Sequence, residues 1–224
     1  MTTLGLQRCA ALVAVLVLAL VITAPSAVAS TITLAPGSST SSVPLNLGAF
    51  PAAPATLLDN TGFESFTSGS LSGTFEARVY DVGGDLDFFY IVTDNATTGS
   101  PASTENISAL VLPGFAGSTL AEAYDNFPSG GITPSSVALN SGGNTVTFGF
   151  ASPNIDPGQR SFWVEIDTTA AGFATGTATI DGSSGDSATV ASLVSTPEPA
   201  ESLLLGIGLL GLLAFEARRR RQIA

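Results

Sequence analysis

The chain has no histidine, no lysine and one cysteine, Cys9, among its 224 residues. Without histidine there can be no Ser-His-Asp triad, no Cys-His dyad and no imidazole metal ligand. Without lysine there can be no Schiff base. One cysteine cannot close an internal disulfide, so a folded domain must stand on its apolar core, which a chain of this length can build. Bases are scarce as well: Lys+Arg is 7 against Asp+Glu 18, a net charge of −11. Such a chain repels a phosphate backbone, and nucleic acid is excluded as a partner. What the chain does have is turn residues, with 24 Gly and 13 Pro. Its mean hydropathy of +0.42 is raised by two apolar segments, one near each end.

The first apolar segment follows Arg8, the only charge in the first fifty residues, and runs from Cys9 to Ile22. Thr23, Ala24 and Pro25 break it, and Ala27-Val28-Ala29 follows. A positive lead, a short apolar run and an A-x-A site predict a secretory signal peptide over 1–29, cut between Ala29 and Ser30. The alternative is a retained anchor, but the run is shorter than the ~20 residues a span needs. Cys9 precedes the apolar run, so it cannot be a lipoprotein cysteine and leaves with the signal.

The second segment belongs to a three-part tail over 196–224. Pro197-Glu198-Pro199 comes first, then an uncharged Leu/Gly-rich run from Leu203 to Phe215, then Arg218, Arg219, Arg220 and Arg221. The two prolines hold an extended, non-helical stretch. The apolar run predicts a single transmembrane helix, and the arginines stay on the cytoplasmic side by the positive-inside rule. Ala200 to Ala217 is 18 residues, about 27 Å of helix against a hydrocarbon core of about 30 Å. A short anchor flanked by Glu201 and Glu216 suits a temporary stop-transfer better than a permanent one.

This tail resembles the PEP-CTERM sorting signal of Gram-negative bacteria. The resemblance rests on Pro197-Glu198-Pro199-Ala200, the run from Leu203 to Leu213, and Arg218 to Arg221; Glu201 departs from the pattern. It implies export by the Sec machinery, cleavage by signal peptidase, a membrane-held intermediate, and processing by an exosortase, an integral-membrane cysteine transpeptidase. It implies a final place at the cell surface or in the extracellular matrix, often with exopolysaccharide and biofilm. It implies no activity for the domain in front. Two body segments, Asp85 to Val92 and Asp156 to Thr168, are similar to pieces found in many PEP-CTERM proteins.

Between the two signals, residues 30–195 carry 15 acids and 2 bases, Arg78 and Arg160, so the net charge is 2 − 15 = −13. The periodicity there is two. Phe75, Ala77 and Val79 alternate with Thr74, Glu76 and Arg78. Leu86, Phe88, Tyr90 and Val92 alternate with Asp87, Phe89, Ile91 and Thr93. Val146, Phe148 and Phe150 form a third set, and Phe162, Val164 and Ile166 a fourth, opposite Trp163, Glu165 and Asp167. Gly, Pro, Asn and Asp bound each run. Further strands are expected over 107–112, 135–139, 174–180 and 188–193, for eight to ten in all. The expectation is an all-β single domain, an antiparallel β-sandwich of jelly-roll type. Pro51 to Ala55 reads as an extended linker or loop.

Several residues invite a chemical role. Asp81, Asp85 and Asp87 gather near one Gly-Gly turn, and carboxylates suit Ca²⁺. Their spacing is not that of an EF-hand, and a plain hairpin turn is favoured; no cofactor is expected, with Ca²⁺ there as the alternative. Glu64, Glu76, Glu105, Glu122 and Glu165 could in principle supply a glycosidase pair, but no local context marks one. Glu76 shares a face with Arg78 and reads as a surface ion pair. Trp163 beside Glu165 on an exposed face could stack on a sugar, but packing at a sheet edge or under a loop is the favoured reading. Asn95 and Asn106 fit N-x-[ST], in expected turns. The leading expectation is therefore a non-enzymatic exported surface or matrix protein. A carbohydrate-binding, Ca²⁺-dependent sandwich module is the alternative.

Overall fold

The structure is a computed structural model and describes residues 32–41, 43, 45–46, 55–115, 121–125 and 130–196. The expected signal peptide, its Ala29–Ser30 cleavage point, the Pro197-Glu198-Pro199 motif, the tail helix and Arg218 to Arg221 lie outside the described residues. Among the described residues no helix is long and apolar enough to cross a membrane.

Among the described residues every regular element is a strand. Three are two-residue pieces: β1 (Ile32–Thr33), β2 (Ser39–Thr40) and β3 (Leu45–Asn46). Then come β4 (Ala55–Asn60), β5 (Glu64–Ser68), β6 (Leu71–Val82), β7 (Asp85–Asp94) and β8 (Ile107–Pro113). They are followed by β9 (Ala121–Asp125), β10 (Ser136–Leu139), β11 (Thr145–Gly149), β12 (Trp163–Thr168), β13 (Phe173–Gly182) and β14 (Ser187–Ser195). The strands form two sheets. One runs β1-β9-β12-β7-β6-β4, with β3 also on β9 and β5 also on β6. The other runs β14-β13-β8-β11-β10-β2. All pairs are antiparallel except β3 with β9, which a long connection permits.

The two-residue period decides which side chains meet. Phe75, Ala77, Val79, Phe88, Tyr90, Val92, Val164 and Ile166 of the larger sheet are fully buried. They join Leu110, Leu112, Val137, Val146, Phe148 and Ile180 of the smaller sheet in one core. The Tyr90 hydroxyl crosses that core and donates to the Leu193 carbonyl at 2.7 Å. Burial holds its pKa well above the ordinary tyrosine value, so it remains a donor.

Among the described residues four hairpins, β5–β6, β6–β7, β10–β11 and β13–β14, join sequence neighbours, and the chain crosses between the sheets from β7 to β8, β8 to β9, β9 to β10, β11 to β12 and β12 to β13. The β6–β7 hairpin turns through Gly83 and Gly84 alone, since Val82 pairs with Asp85. Both glycines have positive φ, 71° and 104°. A two-residue turn of this hand matches the strand twist and is disfavoured for side-chain-bearing residues.

The eight strands expected from alternation are present to within a few residues. The expected linker at Pro51 to Ala55 gives way to a strand at Ala55. That strand and β5 and β9 carry no clear alternation. β4 is an edge with five of six residues exposed. β9, of sequence Ala-Glu-Ala-Tyr-Asp, is a strand through pairing with β12 on one side and with β1 and β3 on the other.

Candidate functional site

The unusual surface is the face of the larger sheet turned away from the shared core. Register builds it. Tyr80 of β6 lies opposite Asp87 of β7, Arg78 opposite Phe89, and Glu76 opposite Ile91. On the other side of β7, Asp87 lies opposite Asp167 of β12, and Phe89 opposite Glu165. Directly opposed residues share a face. So Glu76, Arg78, Tyr80, Asp87, Phe89, Ile91, Trp163, Glu165 and Asp167 form one patch.

This face is closed rather than open. Tyr80, Phe89, Ile91 and Trp163 pack together as a second, smaller apolar cluster, with Ala55 and Val82 against it. Tyr80 and Phe89 meet edge to face at 5.5 Å. Trp163 is 4 % exposed, and the Arg78 guanidinium lies 4.7 Å from its ring centroid. Trp163 is thus packed rather than offered as an open stacking platform, and a cation holds its ring face. The sequence did carry a signal for this. Phe88 to Val92 is apolar without interruption, which is the pattern of a strand buried on both faces.

The expected surface ion pair of Glu76 with Arg78 is corrected. Glu76 is 2 % exposed. Its Oε1 accepts from Arg78 Nε at 2.7 Å, while Oε2 is buried with no hydrogen-bond partner. Glu76 lies inside the patch, while the Arg78 side chain keeps 27 % of its surface exposed.

The Asp81, Asp85, Asp87 trio does not converge. Asp81 lies opposite Leu86, hence on the opposite face from Asp85 and Asp87, and its Oδ1 accepts from the Gly84 amide at 2.8 Å. It closes the hairpin. Asp87 instead joins Glu165 and Asp167, with one carboxylate oxygen from each within 4.8 Å of the others. Sequence alternation puts Glu165 and Asp167 on one face of β12. Only the pairing of β12 with β7 brings Asp87 to them. Asp87 is 8 % exposed. Burial first, then the charges of Asp167 and Asp85, push its pKa up to about 7. Asp167 is also pushed up by burial, against an opposing hydrogen bond with Glu165.

The other expected acids are scattered. Glu64 is half-buried on β5. Glu122 lies on β9, opposite Ile166 in register. Glu105 sits at one end of the sandwich. It accepts from Ser70 Oγ at 3.1 Å and from the Ser184 amide. Asp186 beside it accepts from the Ser70 amide at 2.7 Å, and that bond leads the effects that lower its pKa. The Asn95 side chain is committed to the Pro101 carbonyl at 3.1 Å.

One acid that sequence reasoning passed over is Asp94, which ends β7 on the core side. It is 1 % exposed, and neither carboxylate oxygen has a hydrogen-bond partner. The nearest donors are committed elsewhere: the Ser103 hydroxyl to the Glu105 carbonyl and the Asn95 amide to the Ser72 carbonyl. Burial, opposed in part by Ser103 and Asn95, raises its pKa to about 6. The folded state therefore holds this proton more tightly than the unfolded chain. The associated stability is present in full below pH 4 and is lost as pH rises past about 6. Asp94→Asn is expected to raise the thermal midpoint at pH 8 by about 2–4 °C, or ~1 kcal/mol after solvent screening. At pH 4 it should change little. Melts at the two pH values check this; an equal shift at both would contradict it.

Comparison of the chain with protein-family models, with curated proteins and with solved structures finds no match.

Proposed function

We propose that the chain is a non-enzymatic exported protein whose β domain is delivered to the cell surface or extracellular matrix by a C-terminal sorting signal of PEP-CTERM type, in association with exopolysaccharide. The observation that carries this reading is the ordered tail: Pro197-Glu198-Pro199, the uncharged run Leu203 to Phe215, and Arg218 to Arg221. Each part has a physical task. The prolines keep the cleavage region extended, the Leu/Gly run enters lipid, and the arginines stop transfer. A leader over 1–29, a membrane helix in the tail and a jelly-roll-like path for the sandwich belong to the same reading. The body suits export: two facing sheets share one apolar core, and the only cysteine, Cys9, precedes the body. Its acidic surface keeps it soluble and away from other anions.

The test is intact mass of the protein recovered from cell surface and medium of the native host. The wild type is expected to lack Arg218 to Arg221. Replacing Pro197, Glu198 and Pro199 by alanines is expected to leave export intact and abolish tail loss. A variant that loses its tail at the normal rate would overturn the sorting reading.

A further inference from the structure

We propose that Asp87, Glu165 and Asp167 form a binding site for a hard divalent cation, Ca²⁺ by size, on the outer face of the larger sheet. The proposal stands apart from the sorting reading, since it depends on the β domain alone.

Asp87 and Asp167 are opposed partners in the middle of a sheet, a placement in which like charges repel and destabilise. Glu165 adds a third carboxylate, and the three oxygens lie within 4.8 Å of one another. The two bases of the body are engaged by other groups. Arg78, on the same face, is hydrogen-bonded to Glu76. Arg160 bridges Thr93, six residues or about 20 Å along β7 from Asp87.

The second observation is Asp87 itself. More than nine-tenths buried, it accepts no hydrogen bond from any described residue, and its carboxylate points into the cluster. The groups that face it are Tyr80 from β6, Asp85 on β7, and Glu165 and Asp167 from β12. None is a cation. A carboxylate so placed favours either protonation or a bound metal ion.

Size selects the ion. Oxygens coordinated at about 2.4 Å, the Ca²⁺ distance, lie at most about 4.8 Å apart; the Mg²⁺ distance of about 2.1 Å allows only about 4.2 Å. The three oxygens lie within 4.8 Å of one another, inside the span that Ca²⁺ coordination allows. All-oxygen, all-carboxylate donors are the hard set that Ca²⁺ prefers. Bound there, the ion would cross-link β7 to β12, two inner strands of the sheet.

The experiment uses the full chain in detergent micelles at pH 8, stripped with EDTA and then dialysed. Adding 10 mM CaCl₂ is expected to raise the thermal midpoint by about 3–10 °C for an affinity of ~0.1–1 mM. MgCl₂ should do markedly less. Tb³⁺, a luminescent stand-in for Ca²⁺, should light up on excitation of Trp163, the single tryptophan, two residues or about 7 Å along the strand from Glu165. Ca²⁺ should quench that emission by displacement. Asp87→Asn with Asp167→Asn should abolish both signals. In EDTA it should melt no lower than wild type, because it removes repulsion and keeps shape. Glu165→Gln alone is the second variant and should weaken both. Asp59→Asn, on the exposed edge β4, should retain both. Absence of Ca²⁺-dependent stabilisation and Tb³⁺ emission in the wild type would overturn the proposal. So would their persistence in the Asp87/Asp167 variant.

Discussion

Arg78→Met is expected to destabilise the β domain by about 3–5 kcal/mol, the cost of stranding a buried partner charge. Glu76 is 2 % exposed, and one of its oxygens already lacks a partner. Its other oxygen depends on Arg78. Removing the guanidinium leaves a carboxylate with nothing to offset it, on a face that also carries Asp87, Glu165 and Asp167. The contact over Trp163 goes too, worth roughly 0.5–2 kcal/mol by itself. Methionine keeps much of the side-chain volume, so the loss reports charge and not a cavity. The double variant Glu76→Met with Arg78→Met separates the causes. Replacing both partners of a buried pair by apolar groups is often neutral, so the double is expected within about 1 kcal/mol of wild type. Urea unfolding of the four corners of that cycle gives the coupling. An Arg78→Met variant within 1 kcal/mol of wild type would refute the buried-pair reading.

Phe88→Ala is expected to cost about 3–5 kcal/mol, with unfolding still cooperative. Phe88 is fully buried on the core side of β7. Its ring meets Phe115 edge to face at 5.4 Å and 87°. Phe115 follows β8 of the other sheet, so the pair reaches across the sandwich. Truncation forfeits the transfer energy of the ring, opens a cavity between two sheets held by their own ladders, and loses the aromatic contact. The only cysteine is Cys9, so no disulfide restrains the unfolded chain. A domain of ordinary stability, about 5–15 kcal/mol, would lose roughly a third or more. Phe63→Ala is the control. Phe63 is 70 % exposed, and its removal should fall within about 0.5 kcal/mol. Equal costs at the two positions would mean that the core is misplaced.

Much of the fold was legible because strand alternation is local. Phe75, Ala77 and Val79, or Phe162, Val164 and Ile166, declare a face within six residues, and the structure buries those faces against one core. The short strands β4, β5 and β9 were not legible. Their five or six residues carry no alternation; sheet partners, not local preference, make them strands. The site was legible only in pieces. Asp87, Glu165 and Trp163 each drew notice in the sequence, but their grouping did not. Nearness in sequence pointed to Asp81 and Asp85, whereas alternation sends Asp81 to the other face.

The sequence alone determined the chemistry that is excluded, the period-two pattern and the face each strand offers, and the tripartite tail. These follow from residue type and spacing along one chain. The tertiary structure decided that the second face of β7 and β12 is buried, so that Trp163 and Glu76 are interior groups. It also decided that Asp87 meets Glu165 and Asp167, and that Asp94 is stranded at the end of the core. Those outcomes depend on which strand lies beside which, and at what register. Residues about eighty positions apart become neighbours through hydrogen-bond ladders that no local pattern encodes.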